Sequence, residues 1–379
     1  MIAYLDNSAT TKPCPEAVDA MTRCMTEGYF NPSSVYAPAV EAFQRVRACR
    51  ELILQTVHGG GCELTFTSGG TEANNLAILG SVERMRGKQL LAVSAVEHPS
   101  VRESVDELER RGHEVRRIGV NASGELDWDA LAEALDDGAS LVSCMQVNNE
   151  TGALLDVRRL HELVRGRAVI HVDGVQGFLR VPIEMKYCDL YTLSGHKIHG
   201  PKGIGALVWR KGVRFAPRQI GGGQEGNLRS GTENTPGIAG LMAAVEAMRA
   251  LGADMPAELM RKKLRMIERF REAVPELMVN GPDPETAAPH IVNLSFPGVR
   301  GEVMLHALEA ENVYASTGSA CSSKKRKVSA VLTAMGIGAD RAEWALRFSL
   351  SPHTTDEEID LAAEALKKLY PQLKKYARR

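Results

Sequence analysis

The chain has 379 residues, 44% of them apolar and 25% charged, with a formal net charge of −1. That length exceeds what one small core needs and points to two domains, while the balanced charge gives no whole-protein reason to expect nucleic acid or an anionic membrane as partner. No apolar stretch approaches the ~18 residues that cross a bilayer, and MIAYLDNSATT lacks a basic segment followed by an apolar one, so a cytoplasmic protein is expected.

Strand-like and helix-like segments alternate through the first two-thirds. The strand-like runs are ELTFT (63–67), QLLAVSA (89–95), HEVRRIGV (113–120), SLVSCM (140–145), AVIHVD (168–173) and DLYTLS (189–194). Between them lie helical patterns such as TEANNLAILGSVERM (71–85) and SVRESVDELERRG (100–112). This alternation predicts a mainly parallel sheet with helices on both faces, whose ligand would sit beyond the carboxyl ends of the strands. From Pro236 to Val274 the pattern is a connecting helix interrupted at Gly252 and Pro256. A smaller α+β domain follows, with strands near HIVNLSF (290–296), NVYAS (312–316) and WALRFSL (344–350). Its last helix is predicted to start at Thr354, with Glu357 reaching back in a capping box.

Seven scattered cysteines without a CxxC pair argue against a disulfide framework and against structural zinc. His196 and His199 are followed at once by Gly200-Pro201, which no helical ligand pair would be, so no metal site is expected within the chain alone.

Several residues at the strand ends carry chemistry. Thr67-Ser68-Gly69-Gly70-Thr71-Glu72 follows a strand and opens a helix; it reads as a phosphate cradle or as a turn with a threonine cap. His98 in EHP could stack on a flat cofactor or transfer a proton, or be satisfied by a loop hydrogen bond. Asp173, with Gln176 three residues on, could meet a protonated pyridine nitrogen or cap a helix. Lys197 in Ser194-Gly195-His196-Lys197 is the Schiff-base candidate, with Ser194 and His196 as phosphate donors and Lys202 as the competing lysine. Asn148 and Arg347 could hold an amino-acid substrate, the arginine through its planar fork, or be structural. Cys321 lies in the small, polar run Thr317-Gly318-Ser319-Ala320-Cys321-Ser322-Ser323, which suits a thiol that must travel.

Taken together, YLDNSATT, FTSGGTEANNLAI, EHP, QVNNETG, HVDGVQ, SGHKIHGPKGIGAL, GGGQEGNLRSGTEN, TGSACSS and LRFSL resemble the pyridoxal-phosphate cysteine desulfurases of the NifS/IscS type, in order from about residue 3 to 370. The resemblance implies a class V aminotransferase-like fold (fold type I). A large α/β domain over 16–258 would carry a mainly parallel, seven-stranded-type sheet. Residues 1–15 with 259–379 would form the small α+β domain that carries the cysteine loop.

It implies pyridoxal 5'-phosphate held on Lys197, with His98 stacked on its ring, Asp173 at the ring nitrogen and Gln176 at the ring hydroxyl. Gly70, Thr71, Ser194 and His196 would bind the phosphate, joined by Thr232 from the other subunit of a homodimer. Asn148 and Arg347 would hold the carboxylate of L-cysteine, and Cys321 would take its sulfur as a persulfide for an acceptor such as an iron–sulfur scaffold. Cys321 is also a possible iron–sulfur ligand in such a complex. A selenocysteine lyase or another β-eliminating class V enzyme is the nearest rival, and a non-catalytic scaffold a more distant one.

The chain departs from the family pattern in three places. Gly174-Val175 follows the aspartate where Ala-Thr or Ala-Val is usual, and Tyr36 and Ala39 replace a histidine and a glycine in NPSSVYAPA. Lys324-Lys325-Arg326-Lys327 follows the cysteine loop. That run is either a solvated loop or a docking patch for an acidic acceptor.

Overall fold

The structure, a computed structural model, describes residues 1–318 and 328–377; Cys321 and the run Lys324 to Lys327 lie outside the described residues. In chain order the strands are β1 (Ala3–Tyr4), β2 (Cys62–Thr67), β3 (Leu90–Ser94), β4 (Glu114–Ile118), β5 (Leu141–Met145) and β6 (Val169–Asp173). They continue with β7 (Leu190–Ser194), β8 (Gly205–Arg210), β9 (Met278–Asn280), β10 (Ile291–Ser295), β11 (Val313–Tyr314) and β12 (Ala345–Ser349).

Seven of them form one sheet in the order β2-β8-β7-β6-β5-β3-β4. From β7 to β4 the pairings are parallel, and only β8 runs against its neighbours. β5 and β7 are buried along their whole length, which is why they read as mainly apolar runs without strict alternation: helices cover both faces of the sheet. On one face, Ala73, Leu76 and Ala77 of the helix Gly70–Arg84 pack on Leu190, Leu207 and Phe215. Beside them Val101, Val105 and Leu108 of the helix Pro99–Arg110 pack on Leu91 and Val93.

The connecting segment is two helices rather than one, Thr235–Ala250 and Met255–Ala273. Gly252 sits between them at φ +79, a conformation that ends the first helix, and Pro256 stands in the first turn of the second, where its missing N–H costs nothing. A second sheet has the antiparallel order β12-β10-β9, and β1 pairs in parallel with β11. An isolated bridge from Asp6 to Ser349 ties the N-terminal segment to β12.

The capping box of the last helix is shifted by one residue from the expected position. Thr355 Oγ1 accepts from the Glu358 amide and Glu358 Oε2 from the Thr355 amide. Thr354 is buried instead and accepts from the Ser351 amide at 3.0 Å. Among the described residues no helix is long and apolar enough to cross a membrane.

Candidate active site

The loops after β2, β3, β5, β6 and β7 all leave the same edge of the sheet, and each carries part of the site. After β2, Gly69 adopts φ +154, ψ −175, a conformation open to glycine and rarely to other residues. It is the N-cap of the helix Gly70–Arg84 and offers no side chain, so the first-turn amides are left for another acceptor. A β-carbon at Gly70 would stand 2.7 Å from Val175 Cγ2, and one at Gly205 would stand 2.7 Å from Gly69 Cα. Glycines are therefore required for the turn to rest on the sheet. Thr71 is exposed at the helix start, so the cap is Gly69 rather than a threonine. Ser194 Oγ faces this turn, 3.8 Å from where a Gly69 β-carbon would be.

Asp173 ends β6 buried. It accepts from the Val175 amide at 3.0 Å and from Asn74 Nδ2 at 2.8 Å, contacts of a turn rather than a helix cap. Neither partner is a cation. Asn74 also donates to Ser100 Oγ at 2.9 Å, and Ser100 Oγ meets His98 Nδ1 at 2.8 Å. The Ser100 amide donates to the same Nδ1 at 3.1 Å, which places the imidazole proton on Nε2 and leaves that edge for a partner. Burial pushes the His98 pKa down, partly opposed by the Asp173 carboxylate. Asn74 and Ser100 are site residues that sequence reasoning missed; the only signal was an asparagine on the apolar side of a helix.

Lys197 follows β7 on a single helical turn, Gly195–Lys197. Its Nζ donates to the carbonyls of Ser8 at 2.5 Å and Ala9 at 2.7 Å. Burial, then the positive charges of Arg347 and Arg180, lower its pKa to about 7, with Asp6 and Asp173 pulling the other way. Lys202, by contrast, is exposed. Gln176 Nε2 donates to the same Ser8 carbonyl at 2.9 Å, and its Oε1 accepts from Arg180 Nη1 at 3.2 Å. Arg180, also missed in the sequence, is buried and donates through Nη2 to the Lys197 carbonyl. His196 Nδ1 lies 3.1 Å from Thr10 Oγ1, and burial followed by the nearby cations lowers its pKa to about 4.

Arg347 reaches in from β12, its side chain 5% exposed. Nη2 donates to Asp6 Oδ1 at 2.7 Å and Nη1 to the Asn149 carbonyl at 3.0 Å, while the buried Nε has no partner among the described residues. Asn148 is buried and occupied: Nδ2 donates to the Val96 carbonyl at 3.1 Å, and Oδ1 accepts from the amides of Glu150 and Thr151. It shapes its own loop as an Asx turn does. Thr232 is exposed and shares a cavity of about 210 Å³ with Thr67, Ser68 and Arg229 on the flank of the cradle.

Two departures have visible reasons. At Gly174 a β-carbon would lie 1.9 Å from Tyr191 Cζ, so the glycine makes room for the ring, whose hydroxyl donates to Gln146 Oε1 at 2.8 Å. Tyr36 stands edge-on to Phe30 at 6.0 Å, and Ala39 is buried in the first turn of the helix Ala37–Thr56.

The edge of the sheet thus brings together a largely enclosed lysine with a lowered pKa, a helix N-terminus with no side-chain cap, and a buried carboxylate whose hydrogen-bond donors are uncharged. The chain belongs to the class-V aminotransferase family, whose sequence pattern matches residues 3–361. It is 38% identical to a cysteine desulfurase of Trichormus azollae over 98% of this chain and 94% of that one. It is 39% identical to cysteine desulfurase IscS 1 of Archaeoglobus fulgidus over 94% of each. A solved NifS-like protein superposes with a TM-score of 0.91 at 29% identity, covering 98% of this chain and all of the other.

Proposed function

We propose that this chain is a pyridoxal-phosphate-dependent cysteine desulfurase, converting L-cysteine to L-alanine and leaving the sulfur as a persulfide on Cys321. The single observation that carries the reading is the Lys197 amine, brought to about 7 with only backbone carbonyls as hydrogen-bond partners. The residues fit the cofactor: uncapped amides after Gly69, with Thr71, Ser194 and His196, for its phosphate, Asp173 for its ring nitrogen, and the free edge and face of His98 for its ring. When bound, the cofactor supplies an electron sink that stabilises negative charge at the substrate α-carbon.

The protein's own groups do the rest. Lys197 Nζ, its pKa lowered by burial and the neighbouring arginines, would hold the cofactor and, once the substrate amine has displaced it, take the α-proton. Asp173, anchored by Asn74, would meet the ring nitrogen and favour its protonated form. Gln176 would contact the ring hydroxyl. Arg347 binds the substrate carboxylate with its unspent Nε–H, and Asn148 holds the neighbouring loop so that the Asn149 carbonyl fixes the guanidinium. The Cys321 thiolate then attacks the substrate sulfur: an S–S bond forms, the C–S bond breaks, and its electron pair passes to the carbon skeleton. Protonation of the β-carbon and return of a proton to the α-carbon then yield alanine.

The same reading makes the protein a homodimer. Tyr29, Val35, Tyr36, Val40 and Phe43 expose from 45% to 94% of their surface on one stretch of chain, an apolar face suited to a second copy. Thr232 would then complete the partner's phosphate site. The acceptor would be a protein such as an iron–sulfur scaffold, and the Lys324 to Lys327 run suits one with an acidic surface.

The test is the mass of the alkylated Cys321 peptide after incubation with L-cysteine without reductant. One added sulfur is expected, absent in Lys197→Ala. An unmodified peptide in the cofactor-loaded protein would remove the reading.

A further inference from the structure

Asp6 interacts with both Arg347 and Lys197, two cations of the site. The chain leaves β1, bridges to Ser349, and places the Asp6 carboxylate 2.7 Å from Arg347 Nη2. Only 20% of that side chain is exposed, against 5% for Arg347, so water screens the pair weakly. Asp6 also bears on the second cation of the site, acting with Asp173 to favour the charged form of Lys197. The guanidinium that would receive the substrate carboxylate therefore already carries a resident carboxylate on one nitrogen and a backbone carbonyl on another, with Nε left over.

We propose that Asp6 is a specificity-determining residue, the built-in counter-ion of Arg347 against which every incoming carboxylate must compete. The inference rests on the reading of Arg347 as the carboxylate anchor. Two like charges on one guanidinium repel, so Asp6 weakens the binding of any carboxylate and neutralises the arginine when no substrate is present. Free small carboxylates are thereby kept off Arg347. A ligand that also brings an amine for the cofactor gains a second attachment that offsets the repulsion. Asparagine at this position keeps an acceptor for Nη2 and removes only the charge.

The experiment titrates holoenzyme with L-alanine and with ethylamine, which shares the amine but lacks the carboxylate, following the absorbance of the bound cofactor. In Asp6→Asn the dissociation constant for L-alanine is expected to fall about tenfold relative to that for ethylamine, which reports any effect of the lost charge on Lys197 alone. Acetate, a weak competitor of L-alanine in the parent protein, is expected to become an effective one. Asp6→Ser, the second neutral variant, should move in the same direction, and Asp6→Glu should restore the parent ratio of the two ligands.

An unchanged L-alanine constant in both neutral variants would overturn the inference. So would a selective loss of L-alanine binding, which would mean that Asp6 orients Arg347 rather than opposing its ligands. Equal weakening of both ligands would reduce Asp6 to a structural part. Failure of the underlying reading looks different: Arg347→Ala would then bind L-alanine as well as the parent does.

Discussion

Replacing Gly174 by alanine tests the packing behind Asp173. The backbone there lies outside the left-handed region, so alanine meets no conformational penalty and the cost is steric alone. Its β-carbon would stand 1.9 Å from Tyr191 Cζ and 2.2 Å from Cε2, against ordinary contact near 3.5–4.0 Å. The ring, fully buried, must move by well over 1 Å, which breaks the 2.8 Å bond from its hydroxyl to Gln146. Overpacking of this kind costs about 1–3 kcal/mol and the lost hydrogen bond about 1 kcal/mol, so Gly174→Ala should destabilise by about 2–4 kcal/mol. Over 379 residues the unfolding entropy is about 0.8 kcal/mol/K, so the melting temperature should fall by about 3–5 °C. The assay is a double-mutant cycle by calorimetry. In a Tyr191→Ala background the same glycine change should cost nothing, giving a coupling of about 2 kcal/mol or more. An equal cost in both backgrounds would refute the steric argument.

The Lys197 amine predicts a pH profile for cofactor uptake by the apoprotein. Since its pKa is lowered from 10.5 to about 7, the uptake rate should rise through pH 7 and level off, whereas an ordinary lysine would keep gaining to pH 10. The same shift has a signature in stability. Between about pH 7 and 10.5 the unfolded lysine holds a proton that the folded one has lost, so stability rises with pH across that window, and Lys197→Met should lack this contribution. Glu97 works in the opposite direction. It is buried, accepts from the Met145 amide at 2.6 Å through one oxygen, leaves the other without a partner, and is pushed well above 4.5 by burial and then by Asp173. The folded state keeps that proton above pH 4.5 where the unfolded state releases it, so this carboxyl costs more stability as pH rises. Glu97→Gln should therefore gain on the parent progressively as pH rises above 4.5 in urea titrations; a gain independent of pH there would show that Glu97 is ionised.

Much of the framework is legible in the sequence because burial on both faces of a parallel sheet demands continuous apolar runs, and those runs end where chemistry is placed. Thr67, Asp173 and Ser194 each close such a strand, and the loop residues after them, Gly70 and Lys197 among them, follow from that position. Other parts depend on contacts that no local pattern encodes. Arg180 and Asn74 are polar residues whose burial becomes intelligible only once Lys197, Gln176 and Asp173 surround them. The shifted capping box has a local cause: Thr354-Thr355-Asp356-Glu357-Glu358 contains two Thr-x-x-Glu pairs, and Thr354 is taken up by the turn amide of Ser351, which leaves Thr355 and Glu358 to form the box.

The least legible part is the N-terminal segment, because its partners lie far along the chain. Its side chains and carbonyls form one wall of the site. The Asp6 carboxylate engages Arg347, the Ser8 carbonyl receives both Lys197 and Gln176, Thr10 meets His196, and Thr11 Oγ1 accepts from the His199 amide at 2.7 Å. Each contact brings a group that a cofactor or substrate would need to an acceptor that the folded chain supplies in advance. Carbonyls suit this task better than carboxylates. They hold the Lys197 amine in place without adding a counter-charge, so the upward pulls on its pKa are those of Asp6, itself engaged by Arg347, and of Asp173, and burial outweighs both. The wall therefore positions the lysine while leaving it ready to lose its proton, and this explains how a strongly polar stretch with no regular structure beyond β1 comes to lie against the most buried lysine of the site.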